Sequence, residues 1–136
     1  MKNNQTASTS MPESHFEING YKAHVIWVND SYYCGYVEVP NTHLCYFVSY
    51  SDNDYNNPVY NLDVHGGVTY TDSSLQNIES NDTWFIGFDA AHACDRTRFW
   101  DEGEFRDLDY MVNECHKLAQ QLKKIEESRM LGYKNE

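Results

Sequence analysis

The C-terminal part of the chain carries the pattern that most restricts its fold. Phe105, Leu108, Met111, Val112, Cys115, Leu118, Ala119, Leu122 and Ile125 recur at three- and four-residue spacing, which places them on one face of a long helix. A helix that is apolar along one stripe has to bury that stripe against a second layer. Asp101 followed by Glu104 resembles a capping box, and Lys123 and Lys124 sit late, the polarity that the helix dipole favours. Gly132 is the expected stop.

The second layer is legible upstream. "YKAHVIWVN" and "YYCGYVEVP" are β-branched and aromatic runs separated by Asn29-Asp30-Ser31, a spacing that predicts a hairpin. "YNLDVHGGVTYT" and "TWFIGFDAA" are further strand candidates joined by the polar "DSSLQNIESND". "SDNDYNNP" is too rich in Asn and Asp for a strand and is expected as an exposed loop. The expected class is α+β, an antiparallel sheet of about four or more strands covered by the long C-terminal helix.

A chain of 136 residues suits one domain. Residues 1–14 are expected as a disordered tail, 15–132 as the domain and 133–136 as a short tail. No apolar run has the length of a secretory signal core or the roughly 18 residues of a membrane span, so a soluble, unexported protein without membrane contact is expected. Cys34, Cys45, Cys94 and Cys115 form no C-x-x-C pair, which fits reduced thiols rather than a zinc knuckle or redox motif.

The net charge of -11 is concentrated. Ten acids and no lysine or arginine lie between Lys22 and Arg96. Direct binding to a nucleic-acid backbone needs cations facing phosphates, so that role is not expected. A divalent cation or a basic protein surface is the better-matched partner. The same window holds eight tyrosines, and tyrosine among aspartates offers rigid contact area with few rotamers to immobilise. Tyr50, Asp52, Asp54, Tyr55 and Asp72 are therefore expected to bind a partner.

A second candidate site begins in "LDVHGGVTYTD". Two glycines interrupt an alternating run, predicting a bulge or a close approach by another group, and an extended strand would point Asp63 and His65 to one face. Asp89, His92 and Asp95 are spaced so that a helical turn would stack them. With the two segments as neighbours, Asp63, His65, Asp89, His92 and Asp95 converge, a ligand set suited to Zn²⁺, Mn²⁺ or Fe²⁺. The same residues also serve as braces: Asp89 would cap the turn "AAHAC", and His65 would hydrogen-bond at the bulge. No G-x-S-x-G elbow accompanies the H-G-G triplet, and no helix opens directly after it to make a phosphate loop.

"GYVEVP", "VHGGVTY", "WFIGFDAAH" and "FRDLDYMVNECHKLAQQL", in that order, resemble a family of small proteins found in bacteriophages and prophages. The resemblance spans roughly residues 20 to 125, with a departure at "THLCYFVSY", and supplies no site residues. It implies a small accessory protein acting in the cytoplasm of an infected bacterium. The preferred function is then an inhibitor of a host defence system, anti-CRISPR-like, presenting carboxylates and tyrosines to a basic nucleic-acid channel in place of phosphates. The alternative is a protein that uses the His/Asp cluster to hold a divalent metal, or to sequester or hydrolyse a small signalling nucleotide. Arg96 and Arg98 would then be the nearby cations for its phosphates.

Overall fold

In the computed structural model, which describes residues 11–52, 54–76, 78–79 and 82–134, two successive hairpins start the sheet. They consist of β1 (Ser14–Ile18), β2 (Tyr21–Val28) and β3 (Tyr32–Pro40). The β2–β3 turn places Asn29 and Asp30 at φ 55° and 52° and closes with the Ser31 N–H on the Val28 carbonyl at 3.0 Å. Three residues, Asn29, Asp30 and Ser31, separate the paired Val28 and Tyr32, and Asn and Asp tolerate the left-handed backbone that the turn requires.

After a long connection come β4 (Tyr70–Asp72), β5 (Ser74–Leu75), β6 (Ile78–Glu79) and β7 (Thr83–Asp89), and then one helix, α1 (Leu108–Lys134). The main sheet is antiparallel with order β1-β2-β3-β7-β4, while β5 and β6 pair separately. The fold is α+β, an antiparallel sheet covered by the long C-terminal helix.

Alternation along the strands sorts the core. Ala23, Val25, Val37, Val39, Ile86 and Phe88 pack on one face beneath Met111, Cys115, Leu118, Ala119 and Leu122 of α1. Burying each larger side chain of this kind contributes about 1.5–3 kcal/mol. Ile26, Cys34, Tyr36 and Phe85 occupy the other face, covered by Leu75, Ile78 and Tyr70. Both faces are thus dry at the centre, and "YYCGYVEV" and "TWFIGF" read as nearly continuous apolar runs for that reason.

Three expectations need correction. "VHGGVTYT" is not a bulged strand, because Gly66 and Gly67 lie at φ 71° and 82° and the Gly67 N–H returns to the Val64 carbonyl at 2.8 Å. The chain turns there, with Gly66 at the third position of the turn, where positive φ selects glycine. Only Tyr70–Asp72 joins the sheet. At the helix start the cap is Asp107, whose Oδ1 accepts the Tyr110 N–H at 2.9 Å, not Asp101. Glu104 instead bridges to Asp95, accepting the Arg96 N–H at 2.9 Å and donating to the Cys94 carbonyl at 3.0 Å. The helix also runs past Gly132 to Lys134.

The N-terminal boundary differs as well. The Tyr33 hydroxyl donates to the Pro12 carbonyl at 2.8 Å, Glu13 Oε2 accepts the Trp27 N–H at 2.9 Å, and Ser14 opens β1. Residues 1–10 and 135–136 of the expected tails lie outside the described residues. The cysteines are all free, and burial pushes the thiols of Cys34, Cys45 and Cys115 up to about 12. Among the described residues no helix is long and apolar enough to cross a membrane.

Candidate functional site

The acids of the one-signed window fall into two groups. Those of the first have a basic partner: Asp30 faces Arg98 at 3.5 Å, Glu38 holds His24 at 2.6 Å, Asp89 lies 3.2 Å from His92, and Asp95 holds Arg106 at 2.8 Å. Asp52, Asp54, Asp63, Asp72 and Asp82 form the second group, the side chain of Glu79 lying outside the described residues. They are exposed, and among the described residues none of them takes part in an ion pair.

Most of this second group sits on the connection between β3 and β4, which has no regular secondary structure but is well tied down. His43 is buried beside α1, its Nε2–H donating to the Leu122 carbonyl at 2.9 Å and its Nδ1 accepting the Cys45 N–H at 3.0 Å. Asn57, 5% exposed, is the hub. Its Nδ2 donates to the carbonyls of Ser49 and Asp52, both at 2.8 Å, and its Oδ1 accepts the N–H groups of Val59 and Tyr60 at 2.8 and 3.2 Å. A buried amide satisfied in this way fixes the loop around it.

The loop is therefore a rigid platform, and what it shows to solvent is aromatic and acidic. Tyr55 is 84% exposed, Tyr60 56% and Tyr50 38%, with Asp52 and Asp54 between them in the chain. The Tyr50 N–H donates to Thr71 Oγ1 at 3.2 Å, tying the platform to the edge strand that carries Asp72. Tyr50, Asp52, Asp54 and Tyr55 thus share one loop, with Asp72 on the strand beside it. Phe47 adds a ring that the sequence pattern did not flag. It is 66% exposed and held at φ 64°, a left-handed conformation costing a bulky residue about 1–2 kcal/mol, with its ring against Trp84 at 4.8 Å.

The second candidate cluster assembles in part. His65 Nε2 meets both oxygens of Asp95, at 2.9 and 2.8 Å, and His65 Nδ1 lies 2.9 Å from the Tyr110 hydroxyl. This bonding assigns the Nε2–H tautomer, with Nδ1 accepting from Tyr110. The His65 N–H also donates to Glu114 Oε1 at 2.8 Å. Asp95, 1% exposed, further accepts the Arg106 Nε–H at 2.8 Å and the His92 N–H at 2.9 Å. Burial opposes its charge, yet the hydrogen bonds from His65, Arg106 and His92 outweigh that and hold its carboxyl below the ordinary carboxylate range.

Asp89 caps the turn after β7, accepting the Ala91 N–H at 3.0 Å and the Thr69 hydroxyl at 2.8 Å. His92 packs its ring on Gly66, where an added Cβ would stand 2.2 Å from Nε2, and that buried nitrogen has no aligned hydrogen bond. The rings of His65 and His92 are 6.0 Å apart.

Asp63 does not join them, because residues 62–69 do not run as a strand. It is exposed, and its backbone is clasped by Gln121 through two bonds of 2.8 Å.

Chemically, His65 and Asp95 form a brace: both ring nitrogens are bonded, and the carboxylate is saturated by Arg106, His65 and a backbone N–H. Among the described residues no group of three or more His, Cys, Asp or Glu side chains is placed to hold a metal ion. Arg106, Tyr110 and Glu114 are the partners that sequence reasoning missed. The last two stand one helical turn apart at the edge of the apolar stripe, a polar pair facing the glycine turn. Comparison of the chain with protein-family models, curated protein sequences and solved structures returns no match.

Proposed function

We propose that this protein is a phage-derived inhibitor of a bacterial defence system, acting in the host cytoplasm by binding a basic protein surface through the loop bearing Tyr50, Asp52, Asp54, Tyr55 and Tyr60, with Asp72 beside it. The observation that carries the reading is the division of the acids. Among the described residues of the one-signed window, every buried or half-buried carboxylate has a basic partner, whereas those on the tyrosine platform have none. Unneutralised carboxylates on a rigid frame steer a cationic partner without an ordering cost, and the tyrosines supply contact area once it arrives.

A nucleic-acid channel, such as that of a CRISPR effector, is the class of surface that this combination fits, with carboxylates standing where phosphates would. The phage and prophage resemblance supports that setting.

The test is capture from a bacterial lysate with wild type and an Asp52→Asn, Asp54→Asn, Tyr55→Ala variant side by side. A nucleic-acid-binding protein retained by wild type at low salt, lost with the variant and displaced by its own nucleic acid is the expected result. Equal capture by both proteins, or a partner whose contact surface is acidic, overturns the reading.

A further inference from the structure

Away from the tyrosine platform, a cleft of about 520 Å³ opens between the β2–β3 turn and the segment 91–100. Small-molecule sites are typically about 300–1,000 Å³. Tyr32, Phe99 and Trp100 contribute aromatic walls, and Asn29 and His92 contribute polar groups. Phe99 is 79% exposed and Trp100 55%, although the turn that carries them is closed. Thr97 and Trp100 exchange backbone hydrogen bonds of 2.8 and 3.3 Å, and the Arg98 N–H donates to Ser31 Oγ at 3.0 Å. A bonded frame thus holds two large rings in water, where they add nothing to the core.

Asp95 in the lining of the cleft and Arg98 beside it are already matched. Asp95 is held by Arg106 and His65, and Arg98 faces Asp30 at 3.5 Å while its guanidinium lies 5.5 Å from the Phe99 ring centre. What remains on offer is polar: the Asn29 amide, the Tyr32 hydroxyl and the His92 ring. The His92 ring is fixed from behind, since Gly66 leaves it room and Asp89 stands 3.2 Å from Nε2. Flat apolar walls with a few hydrogen-bonding groups suit a flat ring with nitrogens at its edge.

We propose that this cleft binds a planar nitrogen heterocycle of the nucleobase class, stacked on Trp100 and hydrogen-bonded by Asn29 and His92. A phosphate adds little, because Arg98 is engaged and Asp101, Glu102 and Glu104 follow it in the chain.

Adenosine, AMP and indole titrated into the full chain, followed by calorimetry and by the indole N–H resonance of Trp100, test the proposal. Adenosine is expected to bind saturably and to move that resonance, with AMP within about three-fold of it. Trp100→Ala is expected to weaken adenosine by about ten-fold or more, as loss of a base-stacking ring does. His92→Ala is expected to weaken it too, and neutralising Asp52 and Asp54 to leave it unchanged. No saturable adenosine binding, equal binding by Trp100→Ala, or binding of indole without adenosine overturns the assignment.

Discussion

His65 and Asp95, thirty residues apart in the chain, join the glycine turn to the turn after β7 through contacts of 2.9 and 2.8 Å. Arg106 binds the same carboxylate from the segment that leads into α1. Tyr110 and Glu114 then fasten His65 to the helix itself. The brace thus couples the β3–β4 connection and the segment after β7 to the helix that covers the sheet.

Asp95→Asn should therefore be costly. Removing one member of a buried ion pair typically costs about 3–5 kcal/mol, because the remaining charge stays buried. In wild type the folded carboxyl lies below its ordinary value, so its contribution is full above the unfolded carboxylate range and is lost as pH falls through the folded value. Chemical denaturation as a function of pH should show wild type losing stability below about pH 5 more steeply than Asp95→Asn, which starts lower.

Gly66→Val and Gly67→Ala should separate two reasons for glycine. At Gly66 a side chain meets both a φ of 71° and the His92 ring, 2.2 Å from the new Cβ, whereas at Gly67 the φ is 82° and nothing lies within 4 Å. The second change should cost about 1 kcal/mol, and the first clearly more, through the collision with His92. Equal midpoints for the two variants in urea would show that the His92 contact does not shape this turn.

Phe47→Gly should trade binding for backbone relief. Glycine removes the strain at φ 64° but gives up the ring's contact with Trp84, so the net stability change should stay within about 1 kcal/mol. Partner capture should weaken. A large drop in melting temperature with capture intact would make Phe47 part of the core and not of the platform.

The layers of this fold were legible because their signals are local. The stripe from Leu108 to Ile125 repeats with the helix period, and β2, β3 and β7 are written in β-branched and aromatic residues. The helix cap was misplaced because Asp101 and Glu104 have capping-box spacing, while Asp107 makes its bond without an acid at the reciprocal position. The connection between β3 and β4 was hidden for a different reason. Asn57 and His43 organise it through bonds to backbone groups that composition does not name, and a polar run looks the same whether loose or rigid. The His/Asp cluster was half visible: His65 and the His92 N–H meet Asp95, but Asp63 lies in a segment that reads as a strand and instead turns at Gly66 and Gly67, and Arg106 falls where the sequence reads as the start of the helix, so that its reach to Asp95 was not visible.

The most direct measurement is the association rate of the captured partner with wild type and with Asp52→Asn, Asp54→Asn, Asp72→Asn, taken across a salt series. If the unpaired carboxylates steer a basic surface, the wild-type rate should fall steeply with salt. The variant should associate about ten-fold more slowly at low salt, with a flatter salt dependence and an unchanged melting temperature. Association that is insensitive to salt and equal for both proteins would contradict the account.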